Sequence, residues 1–400
     1  MSQAAVSADK PQRLRLTPTE RRASIMLALL FASRMLGLFL LTPVFAVAAQ
    51  AIPGGNDATR VGLALGAYGL TQAFMQIPLG MASDRYGRRV VIVAGMVLFV
   101  AGGIICALAE NVNWIIAGRT LQGLGAVSAA ITAWVADATR PEVRTRAMAM
   151  VGASIGLSFA VSLVLSPVLV GAFGLSGLFW AISLLGFICL LIAAFAVPAV
   201  PRQEEDIIQA RARDVLAHVD LLRLNFGVFV LHFVLMALFI VMPGLLARLG
   251  GYDSGSLWKV YLPVIALSFL AMVPAVFYTE TRRLHKRALE AAVLGMAAVL
   301  ALMPWFTTSF GAIFVLLVLF FVAFNVLEAL QPSLVSRVAP SAYKGLALGF
   351  YNTAQSLGVF LGGVMGGLLA GQGRGAHVFW LSAALAVLWL LGARGMRQPQ

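Results

Sequence analysis

The sequence predicts an all-α membrane protein with twelve transmembrane helices in two pseudosymmetric six-helix bundles. Of its 400 residues, 60% are hydrophobic and 11% are charged, and the mean hydropathy is +0.92. Soluble proteins average about 45–50% apolar and about 25% charged residues. Because one transmembrane helix needs roughly 20 mostly apolar residues, the chain is long enough for twelve of them and too apolar for a soluble fold.

Apolar stretches separated by short polar breaks define these helices. They cover 23–49, 60–82, 90–109, 113–136, 144–171, 176–197, 223–247, 256–279, 286–305, 309–335, 343–371 and 376–395. The first is interpreted as a span and not a cleaved signal, because its apolar region is about twice as long as that of a signal peptide. The predicted organisation is a basic tail at 1–22, an amino-terminal bundle at 23–197, a central loop at 198–222, a carboxy-terminal bundle at 223–395 and a tail at 396–400.

Positive charge is concentrated in the tails and in alternate loops. Of the 29 Lys and Arg residues, 23 lie on one predicted membrane face, and three, Arg60, Arg248 and Arg374, lie in the loops of the other. This is a positive-inside asymmetry, and it predicts that both termini and the central loop are cytoplasmic. The net charge of +13 is therefore a topological signal and does not indicate nucleic-acid binding, which needs a basic surface in water.

The two halves repeat each other at an offset close to 200 residues. The matching positions are Pro43 and Pro243, Pro78 and Pro274, Arg85 and Arg283, Pro141 and Pro340, and Phe179-Trp180 and Phe379-Trp380. Parallel repeats of this kind are typical of transporters that hold their substrate between the halves.

A glycine- and arginine-rich motif follows the second span. Gly80, Asp84, Arg85, Gly87, Arg88 and Arg89 fit G-x-x-x-D-R-x-G-R-R, which resembles the loop signature of the major facilitator superfamily. The resemblance implies that this loop latches the two halves together in the outward-open state. It also implies that Asp137, at the end of span four, pairs with the loop, most directly with Arg88. The alternative is a basic loop that serves only topology.

Two further motifs resemble that family. Arg119, Gln122 and Gly123 fit R-x-x-Q-G. An arginine at that depth costs about 2.5–3.5 kcal/mol on insertion scales, so it should face the bundle interior and have a partner. The resemblance implies that Arg119 tunes proton release or supports the cavity wall. In span five, the motif residues Gly152, Gly156, Pro167 and Gly171 resemble an antiporter motif, although Ser166 replaces one of its glycines. Ordinary small-residue helix packing explains the same spacing.

Four more polar groups lie within spans: Arg34, His232, Asn325 and Glu328. Spans one, four, seven and ten line the cavity in this superfamily, so the resemblance implies that these groups face it. Glu328 and His232 are the candidate proton carriers, because an unpaired intramembrane carboxylate is costly and histidine changes charge near neutral pH. Arg34 and Arg119 are candidates for assisting proton coupling, and the depths of Arg34 and Glu328 make a pair between them feasible.

Polar stripes on spans two and eleven complete the candidate cavity. Tyr68, Gln72 and Gln76 repeat every four residues, and Asn352 and Gln355 are three apart, so each set lies on one helix face. Hydrogen bonding between helices is the alternative role. The candidate cavity residues are Arg34, Tyr68, Gln72, Gln76, Gln122, His232, Asn325, Glu328, Asn352 and Gln355.

Longer segments resemble the YajR group of that superfamily, among them Y-G-L-T-Q-A-F-M-Q-I-P from Tyr68 and F-F-V-A-F-N-V-L-E-A-L from Phe320. The resemblance implies a secondary transporter that uses alternating access and exports a small, drug-like solute in exchange for protons. Some members carry a soluble C-terminal domain, which we expect this chain to lack. The expected partners are the lipid bilayer, the solute and protons. We expect a monomer without cofactor, metal, catalytic residues or nucleic acid.

Other functions stay open on the residues alone. A proton-coupled importer or a uniporter would share this architecture, and Arg34 leaves an anionic or neutral substrate open beside a hydrophobic or cationic one. A polytopic membrane enzyme would need clustered catalytic groups at a membrane face, whereas the chain has four His and two Cys, and Cys106 and Cys189 lie inside apolar runs. A receptor that retains the transporter fold is not distinguished by sequence.

Overall fold

The structure, a computed structural model, describes residues 16–198, 212–340 and 344–396. Three predicted segments lie wholly or partly outside the described residues. They are the tail at 1–22, as far as residue 15; the central loop, at 199–211; and the last residues, 397–400. Within the described part of the chain, every regular element is a helix.

The helices follow the predicted order. In the first half they are α1 Pro18–Phe39, α2 Phe45–Ala48, α3 Ala58–Tyr86, α4 Arg88–Ala107, α5 Val112–Leu124, α6 Ser128–Asp137 and α7 Pro141–Leu191. In the second half they are α8 Ala212–Leu216, α9 Val219–Gly250, α10 Trp258–Arg282, α11 His285–Leu302, α12 Phe310–Val338, α13 Lys344–Gly371 and α14 Gly375–Arg394.

The predicted twelve spans are confirmed. In the described residues, nine helices are long and apolar enough to cross a membrane. One of these, α7, is two spans that meet at Gly174, whose backbone leaves helical geometry at φ 69°. The other two spans are α3, with 29 residues, and the pair α5 and α6.

Span one begins earlier and ends sooner than the sequence predicts. Thr17 and Glu20 form a capping box, in which each side chain accepts from the other residue's backbone N–H, and this starts α1 at Pro18. The Glu20 carboxylate also accepts from the backbone and guanidinium of Arg140, which ties the start of α1 to the start of α7. Pro43 lacks an N–H and lies in the turn that separates α1 from α2.

Span four is broken in the middle, where the sequence predicts one continuous helix. The Gly125 N–H bonds to the Gln122 carbonyl at 3.1 Å and ends α5. A side chain at Gly125 would overlap the Gly95 carbonyl of α4, and one at Gly123 would overlap the Tyr68 carbonyl of α3. Irregular backbone at this depth is tolerated where protein buries it. As a result, α6 begins inside the membrane, at Ser128.

The two halves touch along a glycine seam between α3 and α13. The membrane face at which α1 begins and α3 ends is called the basic face. The face that carries residues 50–57 and 251–257 is called the opposite face. A side chain at Gly62 would overlap the Gly363 carbonyl, and a Cβ at Gly66 would lie 2.7 Å from the Phe360 carbonyl oxygen. Because these contacts join backbone to backbone, they close the opposite face tightly.

A second contact between halves lies beside that seam. A Cβ at Gly171 of α7 would lie 3.0 Å from the Cα of Gly255, in the loop before α10, and the Tyr261 hydroxyl donates to the Pro43 carbonyl at 3.1 Å. The loop is ordered by Ser256, whose hydroxyl and backbone N–H both donate to the Asp253 carboxylate. These hydrogen bonds lower the pKa of the Asp253 carboxyl.

Toward the basic face, glycines of α7 and α13 lack close neighbours. Among the described residues, no neighbouring atom lies within 4 Å of a Cβ position at Gly152 and Gly156 of α7 or at Gly345 and Gly349 of α13. Gly152 and Gly156 thus make no close helix contact among the described residues in this conformation, and their helix-packing role stays a prediction. Of the glycines in that motif, Gly171 does pack closely.

The internal repeat is visible in side-chain burial. Phe179 and Phe379 are both fully buried, whereas their neighbours Trp180 and Trp380 are both about half-exposed. The same two-residue pattern thus occupies equivalent inward and outward positions in each half, as a pseudosymmetric pair of bundles requires.

A bulky side chain in the seam should force the opposite face open. We expect Gly363→Leu to lengthen the distance between spin labels at Asn56 and Gln372, because the leucine would overlap the Gly62 backbone. The measurement is pulsed electron paramagnetic resonance in detergent. Gly295→Leu is the matched control, since no atom lies within 4 Å of that position. An unchanged distance distribution in Gly363→Leu would contradict the seam as the closing contact.

Candidate functional site

An arginine cluster occupies the centre of the first half and consists of Arg34, Tyr68, Gln72, Arg119 and Ser128. Arg34 Nη2 donates to the Tyr68 hydroxyl at 2.6 Å and to Gln72 Oε1 at 3.2 Å, and Nη1 donates to the Ser128 hydroxyl. All five side chains are buried. The cluster therefore joins α1, α3 and the start of α6 through one guanidinium.

Arg119 completes this cluster from α5. Its Nη1 donates to Gln122 Oε1 at 3.0 Å, and its guanidinium carbon lies 4.7 Å from the centre of the Tyr68 ring. The face of a tyrosine ring attracts a cation, and more strongly when water is excluded. Tyr68 thus holds Arg34 through its hydroxyl and Arg119 through its ring.

One hydrogen bond carries the arginine cluster across to the second half. Gln72 accepts from Arg34 through Oε1 and donates through Nε2 to the Ser356 hydroxyl of α13 at 3.0 Å. Ser356 in turn donates to the Asn352 carbonyl at 2.9 Å. Gln72 uses the oxygen of its amide for Arg34 and the nitrogen for Ser356. A movement of the Arg34 side chain therefore acts directly on the hydrogen bond between the halves.

A histidine cluster occupies the second half and consists of His232, Glu328, Tyr351 and Gln355. His232 Nδ1 lies 3.1 Å from the Val228 carbonyl oxygen, and Nε2 lies 2.7 Å from Gln355 Nε2 and 3.7 Å from Glu328 Oε2. A carbonyl only accepts, so Nδ1 carries the proton and Nε2 accepts from Gln355. His232 thus directs Nδ1 at its own helix backbone and Nε2 at the Gln355 amide.

Glu328 and Tyr351 leave hydrogen-bonding capacity unused in this cluster. Glu328 Oε2 and the Tyr351 hydroxyl are buried atoms without a hydrogen-bond partner, although 23% of the Glu328 side chain as a whole is exposed. His232, by contrast, is fully buried. Glu328 is thus the partly exposed carboxyl of the cluster, Gln355 is also partly exposed, and His232 lies behind them.

A loop cluster lies at the basic face and joins Asp84, Arg88 and Asp137. Arg88 Nη1 lies 2.5 Å from Asp84, and Nε donates to Asp137 at 2.8 Å. Gly87 sits between α3 and α4 at φ 94°, a value that glycine adopts without strain. The contact expected between Arg88 and Asp137 is present, and Arg89 donates to the Val197 carbonyl at 2.6 Å.

The remaining candidates are dispersed. Asn325 donates to the Ser268 hydroxyl of α10 at 3.1 Å and joins neither cluster. Gln76 is fully buried, and neither end of its amide has a hydrogen-bond partner. The pair between Arg34 and Glu328 that their depths suggested is not formed, because Glu328 faces His232 and Arg34 is surrounded by neutral oxygens.

Sequence reasoning missed two members of these clusters, Ser128 and Tyr351, and the residue that bonds to Gln72 from the second half, Ser356. Ser356 and Tyr351 adjoin the polar stripe of span eleven, and treating positions 351, 352, 355 and 356 as one polar set would have included both. Ser128 follows Gly123 and Gly125, a glycine pair that marks the break in span four. No described group of three His, Cys, Asp or Glu side chains could hold a metal ion.

Comparisons with known proteins agree with this geometry. The Major Facilitator Superfamily profile matches residues 27–363. The chain belongs to the Major Facilitator Superfamily. It is 42% identical over 390 residues to the inner membrane transport protein YajR of Escherichia coli (strain K12), covering 96% of this chain and 85% of that one. The superfamily and this relative place the chain among membrane transporters and not among enzymes.

More distant relatives share the same fold or carry a drug-related name. The multidrug resistance protein MdtH of Aeromonas salmonicida (strain A449) is 28% identical over 360 residues, with 87% of each chain covered. The crystal structure of a bacterial homolog of the human lysosomal transporter Spinster, in an inward-facing and occupied conformation, superposes with a TM-score of 0.71 at 17% identity, covering 95% of this chain and 93% of that one. At that identity the likeness concerns the fold alone.

The ion pair in the loop cluster should stabilise the conformation described here. We expect Asp137→Asn to lower the free energy of unfolding by about 1 kcal/mol, because the Arg88 pair is partly shielded from water. Calorimetry of Asp137→Asn, Arg88→Gln and the double variant measures the coupling. Glu290→Gln, in a 3.8 Å pair with Lys286, is the control. Strictly additive effects at Asp137 and Arg88 would contradict a stabilising pair.

Proposed function

We propose that this protein is a proton-coupled antiporter that exports a small solute across the bacterial inner membrane. The sequence assigns 23 of the 29 positive residues to tails and loops predicted on the side of the basic face, which supports a cytoplasmic location for that face and for both termini. With this orientation, the conformation described here is open to the cytoplasm and closed to the periplasm. The protein works as a monomer in the bilayer.

Alternating access follows from the way the two halves meet. The amino-terminal bundle at 23–197 and the carboxy-terminal bundle at 223–395 rock about the centre, where Gln72 and Ser356 are bonded. Outward opening separates Gly62 from Gly363. It also brings together the ends of α3 and α13 that lie at the basic face. Asp84 is 54% exposed in the present state, so its carboxylate is accessible to the second half when the basic face closes. This is the latch role proposed for the loop cluster.

The histidine cluster is the proposed proton site, and its geometry is the observation that carries the proposal. A proton from the periplasm reaches Glu328, the partly exposed carboxyl of the cluster, and the carboxyl becomes neutral. In the inward-open state the proton leaves by the same side chain to the cytoplasm. When the neutral Glu328 carboxyl passes its proton to His232 Nε2, 3.7 Å away, the carboxylate is charged again. The new N–H group on His232 then repels the Gln355 N–H group and attracts the carboxylate, and the proton returns to Glu328 before it is released.

Proton binding is transmitted to the contact between halves through α13. Gln355 bonds to His232, and the next residue, Ser356, bonds to Gln72 of the first half. When Gln355 turns away from a protonated His232, Ser356 moves with it because both lie on one helix turn. The hydrogen bond between the halves then weakens. The name of the MdtH relative supports a drug-like solute for this exporter.

The decisive variant is Glu328→Gln, which keeps the shape of the side chain but cannot release a proton. We expect it to abolish solute flux driven by a pH gradient and to retain solute counterflow, because only the first process requires proton exchange. The assay uses purified protein in liposomes with an internal pH dye and a panel of drug-like solutes. Glu110→Gln, an exposed glutamate of the opposite face, is the matched control.

Two results would contradict the proposal. The first is wild-type solute flux that never moves protons. The second is a Glu328→Gln variant that keeps wild-type pH-driven flux. Loss of both flux and counterflow in Glu328→Gln, with folding intact by calorimetry, would place Glu328 in solute binding and not in proton transfer.

A further inference from the structure

The arginine cluster holds two buried positive charges without a negative one. Arg34 is 1% exposed and Arg119 is fully buried. Among the described residues, no carboxylate oxygen lies within 4.0 Å of a nitrogen atom of either guanidinium. Arg34 Nε and Arg119 Nε are in addition buried atoms without a hydrogen-bond partner. A buried charge is stable only when it is paired and hydrogen-bonded, so this cluster is electrostatically incomplete.

The start of α6 adds positive potential at the same place. α6 has ten residues, begins inside the membrane at Ser128, and has no side-chain hydrogen bond that caps its amino-terminal end. The first N–H groups of a helix carry partial positive charge, and half-helix amino termini at membrane depth bind anionic groups of transported solutes in other folds. Since Arg34 donates to the Ser128 hydroxyl, its charge lies directly at this terminus.

The two arginines differ in how far their charges are offset. Arg119 lies near the carboxyl end of α5, which ends at Leu124, and over the Tyr68 ring. Both features attract a cation. Arg34 has the positive end of α6 beside it, and its three acceptors, Ser128, Tyr68 and Gln72, are neutral. The Arg34 guanidinium carbon also faces the Tyr68 ring, but at 6.0 Å from its centre against 4.7 Å for Arg119. The less compensated charge is therefore that of Arg34.

We propose that Arg34 and the amino-terminal end of α6 form the binding site for the anionic group of the transported solute, and that the solute is an organic anion of the carboxylate or phosphate class. This assignment rests on the proposed transport function and names its substrate class. A planar guanidinium binds such oxyanions with two parallel hydrogen bonds. The helix terminus supplies further N–H donors on the same side.

Binding at this site competes with Gln72 for Arg34. The Gln72 carbonyl oxygen is a weaker, neutral acceptor at 3.2 Å, and an oxyanion displaces it. The same amide donates to Ser356, so its displacement weakens the hydrogen bond between the halves. Solute binding therefore loosens the seam at the opposite face, which is the direction of opening that export requires.

Binding is tested on the purified full chain in detergent, by calorimetric thermal shifts with probes matched in shape. The probes are hexanoate, hexanamide and hexylamine, then phenylacetate, phenylacetamide and phenethylamine, and finally glutarate and phenyl phosphate. We expect one or more of the anions to raise Tm by several degrees, whereas the amide and amine of the same skeleton leave it unchanged. Arg34→Gln should weaken anion binding about tenfold or more. Arg60→Gln, in an exposed pair with Asp57, removes the same charge and should bind as wild type.

Two substitutions at Gln72 give effects of opposite sign. Gln72→Glu places a carboxylate beside Arg34 without changing side-chain shape. We expect it to raise Tm without ligand and to abolish the shift by anions. Gln72→Ala removes the competitor and should tighten anion binding several-fold, although it deletes the Ser356 contact. A purely structural role for the cluster predicts instead that both variants weaken the protein and its ligand binding together.

Several results would overturn the assignment. They are equal stabilisation by amines or amides, no stabilisation by any anion of the panel, and undiminished anion binding in a folded Arg34→Gln variant. If Arg34→Gln does not fold, Arg34→Lys takes its place, and tenfold weaker binding is again expected because lysine lacks the planar fork. An Arg34-dependent shift produced by phosphatidylglycerol and by no soluble anion would assign the site to a lipid headgroup and overturn the solute site. Because none of these measurements involves proton flux, their failure is distinct from failure of the antiport proposal.

Discussion

The close contact between α3 and α13 is the constraint on which the rest of the structure depends. Gly62 and Gly363 meet through their backbones, so the two helices approach more closely than side chains would permit. This proximity brings Gln72 within 3.0 Å of Ser356. A wider spacing would leave Gln72 without a partner in the second half. The central polar network forms because glycines at the seam allow the two backbones to approach this closely.

α13 has a special position because it contacts both polar clusters with consecutive residues. Gln355 bonds to His232 of α9, and Ser356 bonds to Gln72 of α3. The same helix packs closely on α9, where a side chain at Gly358 or Gly362 would overlap backbone carbonyls. A helix held by close backbone contact on two sides moves as a rigid body. Changes at the histidine cluster and at the arginine cluster therefore act on one shared element.

The number of spans, their order and most of their bounds were predicted from the sequence. This was possible because each membrane span requires an apolar stretch of a minimum length. The sequence predicted the contact of Arg88 with Asp137 through a motif with fixed spacing. It did not predict the break in span four, since the reason is tertiary: Gly125 lies against the Gly95 backbone of another helix. Nor did depth alone identify the partner of Arg34, because two groups at similar depth still face different directions. Rotation about a helix axis is set by packing and not by hydropathy.

The arginine cluster and the histidine cluster lie in different halves of the protein. The titratable groups His232 and Glu328 belong to the second half, whereas the permanent charges Arg34 and Arg119 belong to the first. A proton and an anion on one residue would compete directly, as in a single shared site. In the proposed mechanism they occupy opposite halves, which are joined here by the hydrogen bond between Gln72 and Ser356. Each ligand is proposed to act on this hydrogen bond from its own side: the anion displaces Gln72 from Arg34, and the proton releases Gln355 from His232. Both ligands would then shift the same equilibrium, between the formed and the broken hydrogen bond that joins the halves. Coupling of this kind requires no direct contact between proton and solute.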